Sequence, residues 1–252
     1  MRSVKRLAKT ALSMATIALL WFIASKAYNS PLFPGPIEVL YSFIILSIRI
    51  DTWFNVATTL NRVLMGVLLG SLVGLLMGLS PRYSLKISRF IELTIQPVLE
   101  SVPALCWALI FAVLFGLSGV APILVVAASI TPFFTINLWE GVKDMDENLI
   151  EMSWAFTRKK LRVFRHVILP MLYPYLFAAF RSSFEVAWKV VILGEVFGAV
   201  DGLGYMLWLS FSSYDITRMF AWVVYCALFI ALFDYLIFDL VDKHFMRRWR
   251  YG

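Results

Sequence analysis

The stretch RVLMGVLLGSLVGLLMGLSPR, residues 62–82, decides the fold class of this chain. No charged residue lies between Arg62 and Arg82, and most of the intervening side chains are apolar. A helix needs about 20 mostly apolar residues to cross the ~30 Å hydrocarbon layer of a bilayer. The stretch therefore predicts a transmembrane helix.

Four glycines recur at every fourth position of this stretch, namely Gly66, Gly70, Gly74 and Gly78. Residues four apart lie on one face of a helix, and a stripe of small residues lets a second helix approach closely. We expect the stripe to pack against another transmembrane helix rather than to bind a ligand.

The composition of the 252 residues extends this prediction to the whole chain. Hydrophobic residues make up 61% and charged residues only 15%, with a mean hydropathy of +0.80. Soluble domains carry roughly 25% charged residues, so an ordinary soluble protein is excluded. Both cysteines, Cys106 and Cys226, lie in apolar stretches, and the two histidines are far apart, so no disulfide framework and no metal site are expected.

Charge-free intervals mark the remaining spans, because each charge near the bilayer centre costs ~2.5–3.5 kcal/mol on insertion scales. We predict an all-α polytopic membrane protein with one domain over residues 1–252 and six transmembrane helices. Their limits are 9–26, 62–82, two crossings within 100–140 joined by a turn at 116–119, 174–199, and 218–234.

The basic residues predict the orientation. With the N-terminus in the cytoplasm, 17 of the 23 lysines and arginines fall on inner segments, as the positive-inside rule requires. We therefore expect both termini in the cytoplasm, and the net charge of +7 is anchoring charge that calls for no nucleic-acid partner. The apolar run 10–24 also resembles a secretory signal, but Lys26 fits a cleavage site poorly, which favours an uncleaved first span.

The fifth predicted span is unusual because it contains Arg181, Glu185 and Lys189, spaced by four so that they share one helix face. Ionisable residues inside a span are candidates for a translocation pathway. The alternatives are a structural ladder of ion pairs, or an Arg181 that reaches the membrane edge. We expect Glu100 and Glu195, near the ends of their spans, to be solvated.

The inner loop, about residues 141–173, alternates charged and apolar residues at helical spacing, which indicates a docking surface for a partner. We expect its helix to end at Pro170 and Pro174. The chain has no G-x-x-x-x-G-K-S/T motif, so any ATP that drives it must be bound by another chain.

This loop resembles the signature of permease subunits of binding-protein-dependent ABC importers. Glu151 and Pro170 match the signature's glutamate and closing proline, whereas Met152, Ser153 and Thr157 replace its two alanines and its glycine. The resemblance is to the nitrate, sulfonate and taurine branch, which includes permeases for thiamine-pyrimidine precursors. The other stretches that carry it are LFPGP (32–36), TLNR (59–62), VPAL (102–105), FG (115–116), AWK (187–189), GE (194–195) and GLGY (202–205).

The resemblance implies a type I ABC importer-like permease, a multi-pass protein of the cytoplasmic membrane without an ATPase site of its own. It implies a second copy of the chain, two ATPase subunits that bind ATP and Mg, an external substrate-binding protein, and a small polar or anionic solute as cargo. The expected ATPase-coupling residues are Glu147, Leu149, Ile150, Glu151, Trp154, Ala155, Phe156, Thr157 and Arg158. The alternative is an ion-coupled secondary transporter or channel that uses the charges of the fifth span as a relay.

Overall fold

The computed structural model describes residues 2–28 and 30–233, and every regular element in these ranges is a helix. Thirteen α-helices and two π-helical turns, Ile91–Ile95 and Phe164–Ile168, make up this part of the chain. The α-helices are α1 (Arg2–Tyr28), α2 (Pro36–Ile48), α3 (Ile50–Gly78), α4 (Ser80–Tyr83), α5 (Leu85–Phe90), α6 (Gln96–Ser101), α7 (Ala104–Phe115), α8 (Val120–Lys143), α9 (Glu147–Phe156), α10 (Lys160–Val163), α11 (Leu169–Gly198), α12 (Leu203–Ser212) and α13 (Ile216–Phe233).

Three long helices, α3, α8 and α11, form the centre of the bundle. Val63 from α3, Ile130 from α8 and Trp188 from α11 meet in one buried cluster. A second cluster joins α2, α3, α12 and α13, where Tyr225 packs against Phe43 with ring centroids 4.4 Å apart. The bundle is thus one body in which α8 lies between α3 and α11.

The four glycines of the stripe lie against α8. A Cβ placed on Gly66 would lie 2.6 Å from the Cβ of Val126, and one on Gly78 would lie 2.6 Å from the Cβ of Leu138. Gly70 and Gly74 meet Ile130 and Phe134 in the same way. Both helices advance by four residues from one contact to the next, so α3 and α8 run parallel at backbone-contact distance.

Four helices are long and apolar enough to cross a membrane within the described ranges: Ile50–Tyr83, Val120–Lys143, Lys160–Gly198 and Ile216–Phe233. A fifth crossing is possible if Leu85–Ser101 and Ala104–Phe115, bent by 88° at their junction, form one broken span. Helix α1 contributes the shorter apolar segment Ala15–Tyr28. The protein is therefore an all-helical, multi-span membrane protein, and four or five of the six predicted spans meet these criteria.

The predicted third span, from 100 to the turn at 116–119, has the wrong limits. Helix α7 has 12 residues and is about 18 Å long at 1.5 Å per residue, too short for the hydrocarbon layer. Because α3 and α8 are parallel, the segment between them must bring the chain back to the side where α3 begins. The broken pair Leu85–Phe115 does this, with its break at Val102 and Pro103, where Val102 has extended backbone angles.

The prediction that the inner helix ends at Pro170 and Pro174 is wrong, because Lys160–Gly198 is one continuous helical segment. Proline has no N–H for the carbonyl four residues before it. For Pro170 that carbonyl belongs to His166, inside the π-helical turn Phe164–Ile168. The other π-helical turn precedes Pro97 in the same way, so the wider turns let both helices continue past a proline.

Candidate functional site

Helix α9 follows α8 and precedes α10 in the chain, and the side chain of Asp146 caps its N-terminus. The carboxylate of Asp146 accepts hydrogen bonds from the backbone N–H groups of Asn148 at 2.9 Å and Leu149 at 3.4 Å. These contacts satisfy two of the four N–H groups that open at a helix start. The local sequence therefore forms a helix within the expected inner loop.

One residue attaches α9 to the bundle by apolar packing. Ile150 is 1% exposed and packs in a cluster that includes Leu138 of α8 and Leu172 of α11. Ile150 is thus an internal anchor, whereas most of the other predicted coupling residues lie on the surface. Those exposed are Glu147, Leu149, Glu151, Trp154, Ala155, Phe156 and Arg158, and Thr157 is half-buried.

An apolar groove of about 560 Å³ runs beside α9. Leu149, Met152 and Phe156 form one wall, and Phe156 is 83% exposed. Val163 and Val167, from the start of the long helical segment, lie on the other side. Helix α9 therefore presents a partly apolar, exposed face, which is the character of a contact surface.

Arg181, Glu185 and Lys189 lie on a face of α11 that the described part of the chain covers only in part. Arg181 and Glu185 form an ion pair at 3.6 Å with side chains 43% and 47% exposed, and Lys189 is exposed one turn further on. Trp188, beside them in sequence, points into the core with 1% exposure. The charges thus lie together on a surface of the single chain.

A buried ion pair links α3 to α11. The side chain of Glu195 is 0% exposed and that of Arg62 is 7% exposed, and their charged atoms are 2.9 Å apart. The carboxylate also accepts hydrogen bonds from the hydroxyl of Thr59 and from the backbone N–H of Gly204, at 2.8 Å. Arg62 also pairs with Asp201. The buried carboxylate of Glu195 therefore has a positive partner and hydrogen-bond donors in the interior, as a buried charge requires.

The network holds the turn between α11 and α12 against α3. The backbone N–H of Gly202 donates to the side chain of Asn55 at 2.7 Å, and that of Leu203 donates to the hydroxyl of Thr59 at 2.8 Å. Gly202 has φ +98°, and a side chain there would collide with the carboxylate of Glu195. This position therefore requires glycine, for its backbone angle as well as for its space.

The expectation that Glu195 is solvated is wrong, and the sequence reasoning also missed the role of Arg62. The expectation for Glu195 rested on its distance from the end of a span, which says nothing about a partner on another helix. The signal that could have revealed the network is that three stretches of the family resemblance, 59–62, 194–195 and 202–205, supply most of its members. In the described part of the chain, no group of three or more His, Cys, Asp or Glu residues could hold a metal ion.

Most of the chain matches a known protein family. Residues 66–251 match the family described as "Binding-protein-dependent transport system inner membrane component". The match begins at the first glycine of the stripe and includes α8, α9, α11 and Glu195.

Two permease proteins of Escherichia coli (strain K12) are similar in sequence. The taurine transport system permease protein TauC is 28% identical over 206 residues, covering 78% of this chain and 74% of TauC. SsuC, named for aliphatic sulfonates transport, is 32% identical over 93 residues, covering 36% of this chain and 35% of SsuC. The chain thus spans about a third of that SsuC, and half of the SsuC from Bacillus subtilis (strain 168).

Solved ABC transporters share the fold. Inward-facing MetNI methionine ABC transporter is similar with a TM-score of 0.60 and 20% identity, over 77% of this chain and 94% of the solved chain. An amino acid ABC transporter solved with histidines gives a TM-score of 0.59 and 20% identity, over 90% of this chain and 98% of the other. At this identity, the likeness concerns the fold.

Proposed function

Since the chain belongs to the family of binding-protein-dependent transport system inner membrane components, we propose that it is the transmembrane permease subunit of an ABC importer. The observation that carries this proposal is the family match over residues 66–251, which includes the glycine stripe of α3, the helices α8 and α11, and the exposed helix α9. The family match gives no support to the alternative of an ion-coupled secondary transporter or channel.

The proposed topology has six crossings with both termini in the cytoplasm. The crossings are α1, α3, the broken pair that ends in α7, α8, the segment Lys160–Gly198, and α13. This assignment is supported by the parallel packing of α3 and α8, which requires a return crossing between them. It puts α9 and the basic residues 158–165 on the cytoplasmic side of the membrane.

The proposed assembly contains a second copy of the chain, two ATPase subunits that bind ATP and Mg, and an external substrate-binding protein. Helix α9 would receive an ATPase subunit on its exposed face, while Ile150 holds the helix to the bundle. The chain itself would supply no ATPase site. Its cargo would be a small polar or anionic solute, in line with the taurine and sulfonates that relatives are named for.

The charges of α11 are the proposed lining of the translocation pathway. Arg181, Glu185 and Lys189 share a surface that is partly exposed in the described part of the chain, where a second copy would enclose them beside a water-filled path. Charges in a span generally face such a path or the interior of the assembly.

We expect the variant Glu151→Lys to lose its ATPase subunits. Glu151 is exposed on α9, and reversing a charge in the centre of an interface leaves its partner opposed by a like charge. Co-purification from detergent should fall about tenfold or more, as for an interface hot spot. Asp51→Lys, which reverses an exposed carboxylate at the outer end of α3 in the proposed topology, is the control. Equal ATPase retention by both variants would contradict docking at α9.

We expect Lys189→Met to impair uptake without loss of the ATPase subunits. The substitution keeps the length of the side chain and removes the charge from the proposed pathway. The measurement is uptake of radiolabelled taurine into proteoliposomes that contain the complete importer and its binding protein, with ATP inside and with a protonophore added to exclude ion coupling. Uptake equal to that of the unmodified protein would mean that the charges of α11 are structural.

A further inference from the structure

The turn that joins α8 to α9, residues 144–147, has a partner for each of its four side chains. Asp144 accepts a hydrogen bond from the hydroxyl of Tyr175 on α11 at 2.6 Å. Met145 is 8% exposed and lies in the same apolar cluster as Ile150. Asp146 caps α9, so one short turn contacts the bundle and also starts the next helix.

The fourth side chain of the turn reaches the end of a different helix. Glu147 forms an ion pair with Arg82 of α4 at 2.8 Å. Helix α4 follows directly on α3 after Leu79. The pair therefore connects the first residue of α9 to the end of the helix that carries the glycine stripe.

The contact between Tyr175 and Asp144 depends on the close packing of α8 against α11. Gly141 lies on α8 under the ring of Tyr175, and a Cβ placed there would lie 2.7 Å from the ring carbon Cγ. The absent side chain of Gly141 thus makes room for the ring, and the ring brings its hydroxyl to Asp144. An alanine at 141 would displace this ring, because Gly141 and the ring of Tyr175 are already in close contact.

These contacts define how α9 is held. A short helix attached only through Ile150 could rotate about that residue. Attachments at Ile150, at the Asp144 contact with α11 and at the Glu147 contact with α4 are three separate points, which fix the orientation of a rigid body. The three points reach α8, α11 and α4, and α4 follows directly on α3. A displacement of α9 therefore acts on all three core helices.

We propose that the turn 144–147 is a rigid joint, and that Tyr175 and Arg82 are positioning residues that make α9 move as one body with α3 and α11. The proposal rests on the proposed function in one respect, namely that the displacement of α9 is driven by an ATPase subunit. In that setting the joint makes ATP hydrolysis productive, since a loose α9 would follow the ATPase without moving the spans.

The test measures the distance between spin labels on α9 and α3 in the complete importer. The labels are placed at exposed positions, Asn148 and Leu72, after Cys106 and Cys226 have been replaced. We expect a narrow distance distribution that ATP does not alter, and a broader, nucleotide-dependent one in Tyr175→Phe and in Arg82→Glu. Exposed charge pairs carry modest free energies, so ATP hydrolysed per taurine imported should rise about two- to fivefold in the variants.

Matched control variants distinguish loss of the joint from a general disturbance of the fold. Tyr83→Phe removes the hydroxyl of a tyrosine that is 77% exposed, and Lys86→Glu reverses an exposed charge on α5; both should keep the narrow distribution. Arg82→Lys, which keeps the charge, should restore it. Broad distributions in the controls, or narrow ones in Tyr175→Phe and Arg82→Glu, would overturn the proposal. The distances are also measured on the permease alone, so a failure to bind ATPase subunits would count only against the proposed function.

Discussion

Arg62→Met should lower the free energy of unfolding by about 3–5 kcal/mol, the cost found when one partner of a buried ion pair is removed. The carboxylate of Glu195 is 0% exposed and would lose its counter-charge at 2.9 Å. Its remaining donors, from Thr59 and Gly204, are neutral. Arg62 also holds Asp201, so the turn between α11 and α12 should loosen as well. The measurement is unfolding of the purified permease in detergent, followed by tryptophan fluorescence.

A double-mutant cycle identifies the cause of this loss. Arg62→Met combined with Glu195→Gln removes the buried carboxylate charge together with its partner and should recover part of the stability. The recovery should be partial because Asp201, whose side chain is 34% exposed, still loses Arg62. The control is Arg218→Met, which breaks an ion pair with Asp215 whose side chains are 49% and 39% exposed and should cost no more than about 1 kcal/mol. A loss as small for Arg62→Met as for Arg218→Met, or additive effects in the cycle, would show that the buried pair is not the source of stability.

Gly70→Leu should separate α3 from α8 and cost about 3 kcal/mol or more, at or above the upper end of the range for overpacked cores. A Cβ on Gly70 would lie 2.5 Å from Cγ1 of Ile130 and 2.7 Å from the carbonyl oxygen of Ala127. The second atom belongs to the backbone of α8, so a rotamer change cannot relieve the collision. The hydrogen bond from Thr131 to the carbonyl of Gly70, at 3.3 Å, would be lost as well.

The control for Gly70→Leu adds the same kind of side chain elsewhere on α3. Ala57 is exposed, so Ala57→Leu should change the midpoint of thermal unfolding little. Gly70→Ala should fall between the two, because it adds only the Cβ. The measurement is the apparent unfolding temperature in detergent, together with the yield of folded permease on size exclusion. Equal midpoints for Gly70→Leu and Ala57→Leu would contradict close packing of α3 on α8.

The buried Arg62, the glycine stripe and the joint with α9 all lie on α3 or directly after it. Arg62 lies near the turn between α11 and α12, the glycine stripe follows, and Arg82 lies just beyond the end of the helix at the joint with α9. The spacing of four revealed the stripe in the sequence, since a periodic pattern needs no knowledge of the partner. That the partner is α8, packed in parallel, depends on contacts between residues about 60 positions apart, which no local pattern specifies.

The predicted coupling residues illustrate the same limit. Helical spacing and the family resemblance located α9 within the inner loop, and a local Asp146 cap forms the helix. The division of its residues into an anchor, Ile150, and an exposed face depends on where α8 and α11 lie. Helix breaks were predicted least well, because Pro170 fits a helix when a π-helical turn precedes it.

The sequence by itself determined that the chain is a helical membrane protein, that its spans are separated by charged segments, and that its inner loop resembles an ABC permease signature. Transfer of a segment into a membrane depends on that segment's own side chains, so it can be judged locally. The tertiary structure decided which charges are buried. Glu195 and Arg62 are 133 residues apart in sequence and compensate each other at 2.9 Å, whereas the side chains of Arg181 and Glu185, inside a span, are 43% and 47% exposed. The free energy of a buried charge depends on its partners, and only the folded chain brings these partners together.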